Sequence, residues 1–179
     1  MKTILQALRL LVALTLLTGV AYPLAVTAFA RVAFPWQSTG SLVGREGKPI
    51  GSALLAQKFD GPTYFWTRPS AADFATVPSG ASNLGPTSDA LRKAVAERKA
   101  KFGENAPVDL LTTSASGLDP HLSPAAAQWQ TARVAAARNL PVEKVAALVA
   151  QVTEPPQYGI FGEPRVNVLS LNLKLDAIK

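Results

Sequence analysis

The 21 residues from Leu10 to Ala30 carry no charged side chain. As a helix they would rise about 31 Å, the thickness of a bilayer's hydrocarbon core. Lys2 and Arg9 stand before the run and Arg31 follows it. One such span cannot enclose an ion path or a transport site, so any membrane work by this chain needs partner subunits. Ala28-Phe29-Ala30 also fits the small-x-small pattern of a signal-peptidase site behind a positive n-region. A cleaved signal has an apolar core of about 7–15 residues, shorter than this one. Length therefore favours a retained anchor, and a secreted product with a cleaved signal is the alternative. Pro23 interrupts the run, which membrane helices tolerate when neighbouring groups re-satisfy the backbone.

The positive-inside bias is slight and favours a cytoplasmic N-terminus. The expected organisation is a short cytoplasmic segment (1–9), a transmembrane helix (10–30) and an extracytoplasmic soluble domain (31–179), which puts the chain in a cytoplasmic membrane with lipid as one partner. Trp36, after Phe34-Pro35, suits an aromatic at the outer interface. The remaining chain, roughly 150 residues, is long enough for one domain with a real core. It has no cysteine, which excludes disulfides and thiolate chemistry. Lys and Arg number 18 against 12 Asp and Glu, a net charge of +6. The basic residues gather at Arg92, Lys93, Arg98, Lys99 and Lys101 with no aromatic interleaved among them. That pattern reads as a solvated helix face, not a nucleic-acid platform.

The domain reads as α/β or α+β. Residues 37–86 are rich in Gly, Pro, Ser and Thr, and the apolar triplets at 41–43, 53–55 and 64–66 predict short strands between turns. Thr87 or Ser88 can cap a helix to about Phe102, with Leu91, Ala94, Val95, Arg98 and Phe102 on one face and Gly103 beyond its end. Val108–Thr112 reads as a strand. Ser123-Pro124 opens a helix to about Arg138, with Ala125, Trp129, Ala132 and Ala136 on one face. Pro141 opens another, with Val142, Val145, Val149 and Val152 as its stripe, halted by Pro155-Pro156. Leu169, Leu171, Leu173 and Leu175 alternate with polar residues and predict a C-terminal strand. Val166 and Val168 have the opposite parity, which implies a bulge or burial on both faces.

Chemistry is sparse. There is no P-loop and no Gly-x-Gly-x-x-Gly, and the only histidine is His121. Ser116, Asp119 and His121 lie within six residues and raise the alternative of an exported hydrolase. Three residues of one loop rarely reach triad geometry, and no Gly-x-Ser-x-Gly elbow is present. Turn-forming and capping roles suit them better. Tyr64 to Ala71 places aromatics beside Arg68, either as an interface anchor or as a strand end with core aromatics.

These fragments occur in a particular order. Tyr22-Pro23-Leu24, Pro35-Trp36-Gln37, Gly51-Ser52-Ala53-Leu54, Arg68-Pro69-Ser70-Ala71, Ser82-Asn83-Leu84, Ser116-Gly117-Leu118-Asp119 and Gly162-Glu163-Pro164-Arg165-Val166-Asn167 run along nearly the whole chain. In this the chain closely resembles the C subunits of Kdp potassium-transporting ATPases. Ala56, Ser38-Thr39 and Ala81 depart from the usual family residues at turns. The resemblance implies a non-enzymatic accessory subunit of a potassium-uptake complex. Its implied partners are a channel-like subunit, a P-type ATPase subunit and, as a further candidate, a small single-span subunit. It implies a role in assembly and a chaperone-like increase in the pump's ATP affinity, although the chain shows no phosphate cradle. No directly bound cofactor is expected, ATP and potassium acting at the level of the complex. The candidate subunit contacts are Tyr22, Pro23, Leu24, Trp36, Tyr64, Arg68, Ser70, Ser82, Asn83, Ser116, Asp119 and His121.

Overall fold

The computed structural model describes residues 2–45 and 47–178. The chain falls into two compact units, 1–50 and 51–179.

In the first unit the apolar run is helical from Lys2 to Ala33, as α1 (Lys2–Leu16), a π-helical turn (Leu17–Ala21) and α2 (Tyr22–Ala33). Pro23 is accommodated, not helix-ending. Proline cannot donate and crowds the carbonyl of the preceding turn, and the wider turn just before it relieves that conflict. There the Tyr22 N–H reaches back five residues to the Leu17 carbonyl. The hydroxyls of Thr18 and Thr27 are also satisfied within the helix, on Leu14 O and Pro23 O, both at 2.7 Å. No residue of α1 or α2 is buried, although most are apolar. Strands β1 (Leu42–Arg45) and β2 (Lys48–Ser52) then pair as a two-stranded sheet.

The second unit adds α3 (Asp89–Phe102), α4 (Val108–Leu111), β3 (His121–Leu122), α5 (Pro124–Arg138), α6 (Val142–Val152), β4 (Thr153–Glu154), β5 (Arg165–Asn167) and α7 (Val168–Asp176). The short sheet has the order β3-β5-β4 and is antiparallel throughout, with Val166 opposite both Leu122 and Thr153. Helices α5, α6 and α7 enclose a core of Leu122, Val134, Val145, Val149, Val166, Val168, Leu171 and Leu175, completed by Phe65 and Leu110. The helix starts follow their sequence signals. Ser88 Oγ accepts from Leu91 N, and Ser123 Oγ accepts from Ala126 N.

Five expectations are corrected. The C-terminal leucines form helix α7, not a strand. Its buried stripe is Val168, Leu171, Asn172 and Leu175, a 3–4 spacing hidden by the polar Asn172. The parity change at Val168 marks the switch from β5 to α7, where Asn167 Oδ1 caps Ser170 N at 3.0 Å. Val108–Leu111 is a helical turn, begun by Pro107 with its φ of −54°. Ala53–Leu55 is a turn in which Ser52 Oγ accepts from Leu54 N. Tyr64–Trp66 lies outside any strand because its backbone partners are side chains. Helix α5 also buries a different face from the alanine and tryptophan one. Ala126, Ala127, Gln130, Thr131, Val134 and Ala135 face inward, while Trp129 is 43% exposed.

Candidate functional site

Four loops of the second unit converge on one cleft of about 530 Å³ lined by Leu54, Leu55, Arg68, Ser79, Ser116 and Asp119, among others. Short local bonds hold the loops together. Ser114 N donates to Pro69 O at 3.0 Å and Ala56 N to Leu118 O at 2.9 Å. Ser82 Oγ and Thr113 Oγ1 are 3.2 Å apart. Gly117 sits at the crossing with a φ of +72°, and a Cβ there would lie 2.9 Å from the Gly80 carbonyl oxygen. Glycine is required at that position on both counts.

Arg68 and Asp119 form the polar floor. Arg68 Nη1 is 3.3 Å from Asp119 Oδ2, and both side chains are about a quarter exposed. Arg68 Nε is buried and has no acceptor. Burial acts to raise the Asp119 pKa. The opposing effects win: His121, through its imidazole and its backbone N–H, and the Arg68 charge hold this carboxyl below its ordinary value. The backbone bond, His121 N to Asp119 Oδ1, is 3.0 Å, and the imidazole Nδ1 stands 3.7 Å from the same oxygen.

The structure thus brings together Arg68, Ser70, Ser82, Ser116, Asp119 and His121, with Asn83 beside Ser82 in the same loop. Several of these side chains are occupied by turns. Ser70 Oγ accepts from Ala72 N and Phe74 N, and Ser116 Oγ accepts from Leu118 N. No hydrogen bond joins Ser116 to His121 among the described residues, so the loop lacks the nucleophile–base contact that a hydrolase needs. No group of three potential metal ligands occurs among the described residues.

Tyr64 belongs elsewhere. Its hydroxyl lies 3.3 Å from Asp176 Oδ2, and the Arg138 guanidinium stands 4.8 Å from its ring. In the first unit Trp36 Nε1 donates to Leu42 O, while Tyr22 and Leu24 are exposed on α2.

Sequence reasoning missed the residues that hold this region in place. Asn172 Oδ1 accepts from Phe65 N at 2.9 Å, and its Nδ2 donates to Phe65 O at 3.0 Å. Gln130 does the same for Trp66, at 2.9 and 3.0 Å. Two amide side chains therefore play the part of a neighbouring strand. Arg133 adds bonds to Pro62 O and Tyr64 O and stacks 3.8 Å from the Trp66 ring centre, its pKa lowered by burial. The available signal was polar residues at buried helical positions, which are costly unless paired.

Arg68 also lines a second cleft, about 280 Å³, with Trp66, Arg98, Lys101 and Phe102. Arg98 occupies the apolar face of α3 and donates to Leu111 O at 2.8 Å, and burial lowers its pKa.

The family model of the K+-transporting ATPase c chain, KdpC, matches residues 4–177. The chain belongs to the KdpC family. A potassium-transporting ATPase KdpC subunit of Polaromonas naphthalenivorans is 58% identical over 190 residues, spanning 100% of this chain and 97% of that protein. The Rhodospirillum rubrum KdpC subunit is 55% identical, over 98% of this chain and 96% of its own. One from Cereibacter sphaeroides is 54% identical, over 96% and 95%. The KdpC match thus takes in the apolar helix, the loop cluster and the α5–α7 core.

Proposed function

We propose that this chain is the accessory, non-catalytic subunit of an ATP-driven potassium-uptake complex. The observation that carries the reading is family membership over the full length, combined with a helix from Lys2 to Ala33 that buries none of its residues within the chain. Such a helix finds its partners in lipid and in the membrane segments of other subunits. Tyr22, Pro23 and Leu24, beside the π-helical turn, are the proposed docking face. The N-terminus is assigned to the cytoplasm and the second unit to the outside.

The Arg68–Asp119 cleft, with exposed Leu54 and Leu55 at its margin, is the proposed extracytoplasmic contact with a channel-like or ATP-hydrolysing subunit. An arginine with an unused buried donor next to apolar side chains has the chemistry of an interface anchor. A domain outside the membrane cannot touch cytoplasmic ATP, so an effect on the pump's ATP affinity would pass between subunits as a coupling energy. No cofactor is assigned to the chain itself.

Affinity purification of the chain from mild detergent tests the reading. Two larger membrane subunits are expected to come with it, and their absence counts against the assignment. Intact mass separates the secreted alternative, since a chain starting at Arg31 or Val32 would have lost its anchor.

A further inference from the structure

Between β4 and β5 the chain makes a closed loop. Gln157 N donates to Phe161 O at 2.8 Å and Phe161 N returns to Gln157 O at 3.0 Å, while Gly159 N reaches Pro156 O at 2.9 Å. Tyr158, Gly159 and Gly162 all adopt positive φ, which fixes a tight shape. Yet the side chains it presents are apolar and in water: Tyr158 is 82%, Ile160 78% and Phe161 66% exposed. Three large apolar groups on one short, hydrogen-bonded loop gain nothing for this chain's core. A loop already closed loses little freedom when it docks.

The charges around it select the kind of partner. Arg165 is neutralised by Glu154 at 3.1 Å. Glu163 is exposed and has no ion pair among the described residues. Its carboxylate leaves a negative charge beside the apolar side chains, which a basic side chain on a partner protein would complement. We propose that loop 157–162 is a docking anchor that inserts Tyr158, Ile160 and Phe161 into an apolar recess on another subunit of the complex, with a basic residue at the rim facing Glu163. The proposal rests on the assembly reading above and adds a second contact, distinct from the Arg68–Asp119 cleft.

A photo-crosslinking amino acid placed at Ile160, in membranes containing the whole complex, tests it. The expected product is an adduct between this chain and one of the larger subunits. Adducts with lipid alone, with a second copy of this chain, or with nothing overturn the proposal when the chain still co-purifies with its partners. A chain that fails to co-purify at all overturns the assembly reading first. As a second measurement, the double variant Tyr158→Ser/Phe161→Ser should weaken retention of the chain in the detergent-purified complex roughly tenfold or more, as loss of two aromatic anchors does. Its unfolding temperature as a full-length chain should not change. Unchanged retention would also overturn the proposal.

Discussion

Asn172 shows how much one polar side chain can organise. It occupies the buried stripe of α7, where a leucine would fit the pattern, and it serves both backbone groups of Phe65. Replacing it with leucine keeps the branching of the side chain but leaves the buried N–H and C=O of Phe65 without partners. Each such group costs about 1–3 kcal/mol. The Asn172→Leu variant should therefore unfold at clearly lower urea concentration than the native chain in the same detergent. Asp119 makes a pH-dependent contribution. Its native pKa is depressed, so its stabilisation is complete above the ordinary carboxylate value and disappears as pH falls through the lower native one. The stability difference between the native chain and Asp119→Asn should be constant near neutrality and shrink below about pH 4. Urea titrations at a series of pH values would read this directly, and a difference that grows in acid would contradict it.

Among the elements, α7 sets propensity and packing against a misleading pattern. Its leucines alternate as they would in a half-buried strand. Leucine is nevertheless a strong helix former, while β-branched residues lead in strands, and the β-branched pair Val166 and Val168 sits where the strand ends and the helix begins. The cap from Asn167 and the 3–4 stripe then decide the outcome. Lys174 is exposed in the last turn of α7. Proline there should cost about 3 kcal/mol by breaking the helix, whereas Lys174→Ala should be nearly neutral. Equal tolerance of both substitutions, measured by thermal unfolding, would fit an edge strand and not this helix. The helices α3, α5 and α6 were legible because each opens with a local signal, Ser88, Ser123-Pro124 or Pro141. The segments 53–55 and 64–66 were not, because what replaces their strand neighbours lies more than 60 residues away, in Gln130, Asn167 and Asn172.

For the molecule as a whole, topology is the testable consequence of the charge pattern around the apolar helix. In sealed inside-out vesicles the segment after Ala33 should be protected from protease until detergent is added. Digestion of the soluble unit in intact inside-out vesicles would reverse the assigned orientation and, with it, the argument that any effect on ATP affinity is indirect.

The apolar run from Leu10 to Ala30 declared its helix without help, because a long uncharged stretch has few other ways to satisfy its backbone in lipid. The ordered motifs likewise marked the family, and the capping residues marked three helices. All of these are signals carried by neighbouring residues. The loop cluster was legible only as a list of candidates: Arg68 and Asp119 are 51 positions apart, and it took the folded loops around Gly117 to set them 3.3 Å from each other. The same limit hid Gln130, Arg133 and Asn172, whose partners are backbone groups of a distant segment. Hydrogen bonds between remote residues leave no period in the sequence, so tertiary structure alone decided which polar residues were structural and which remained free to meet a partner.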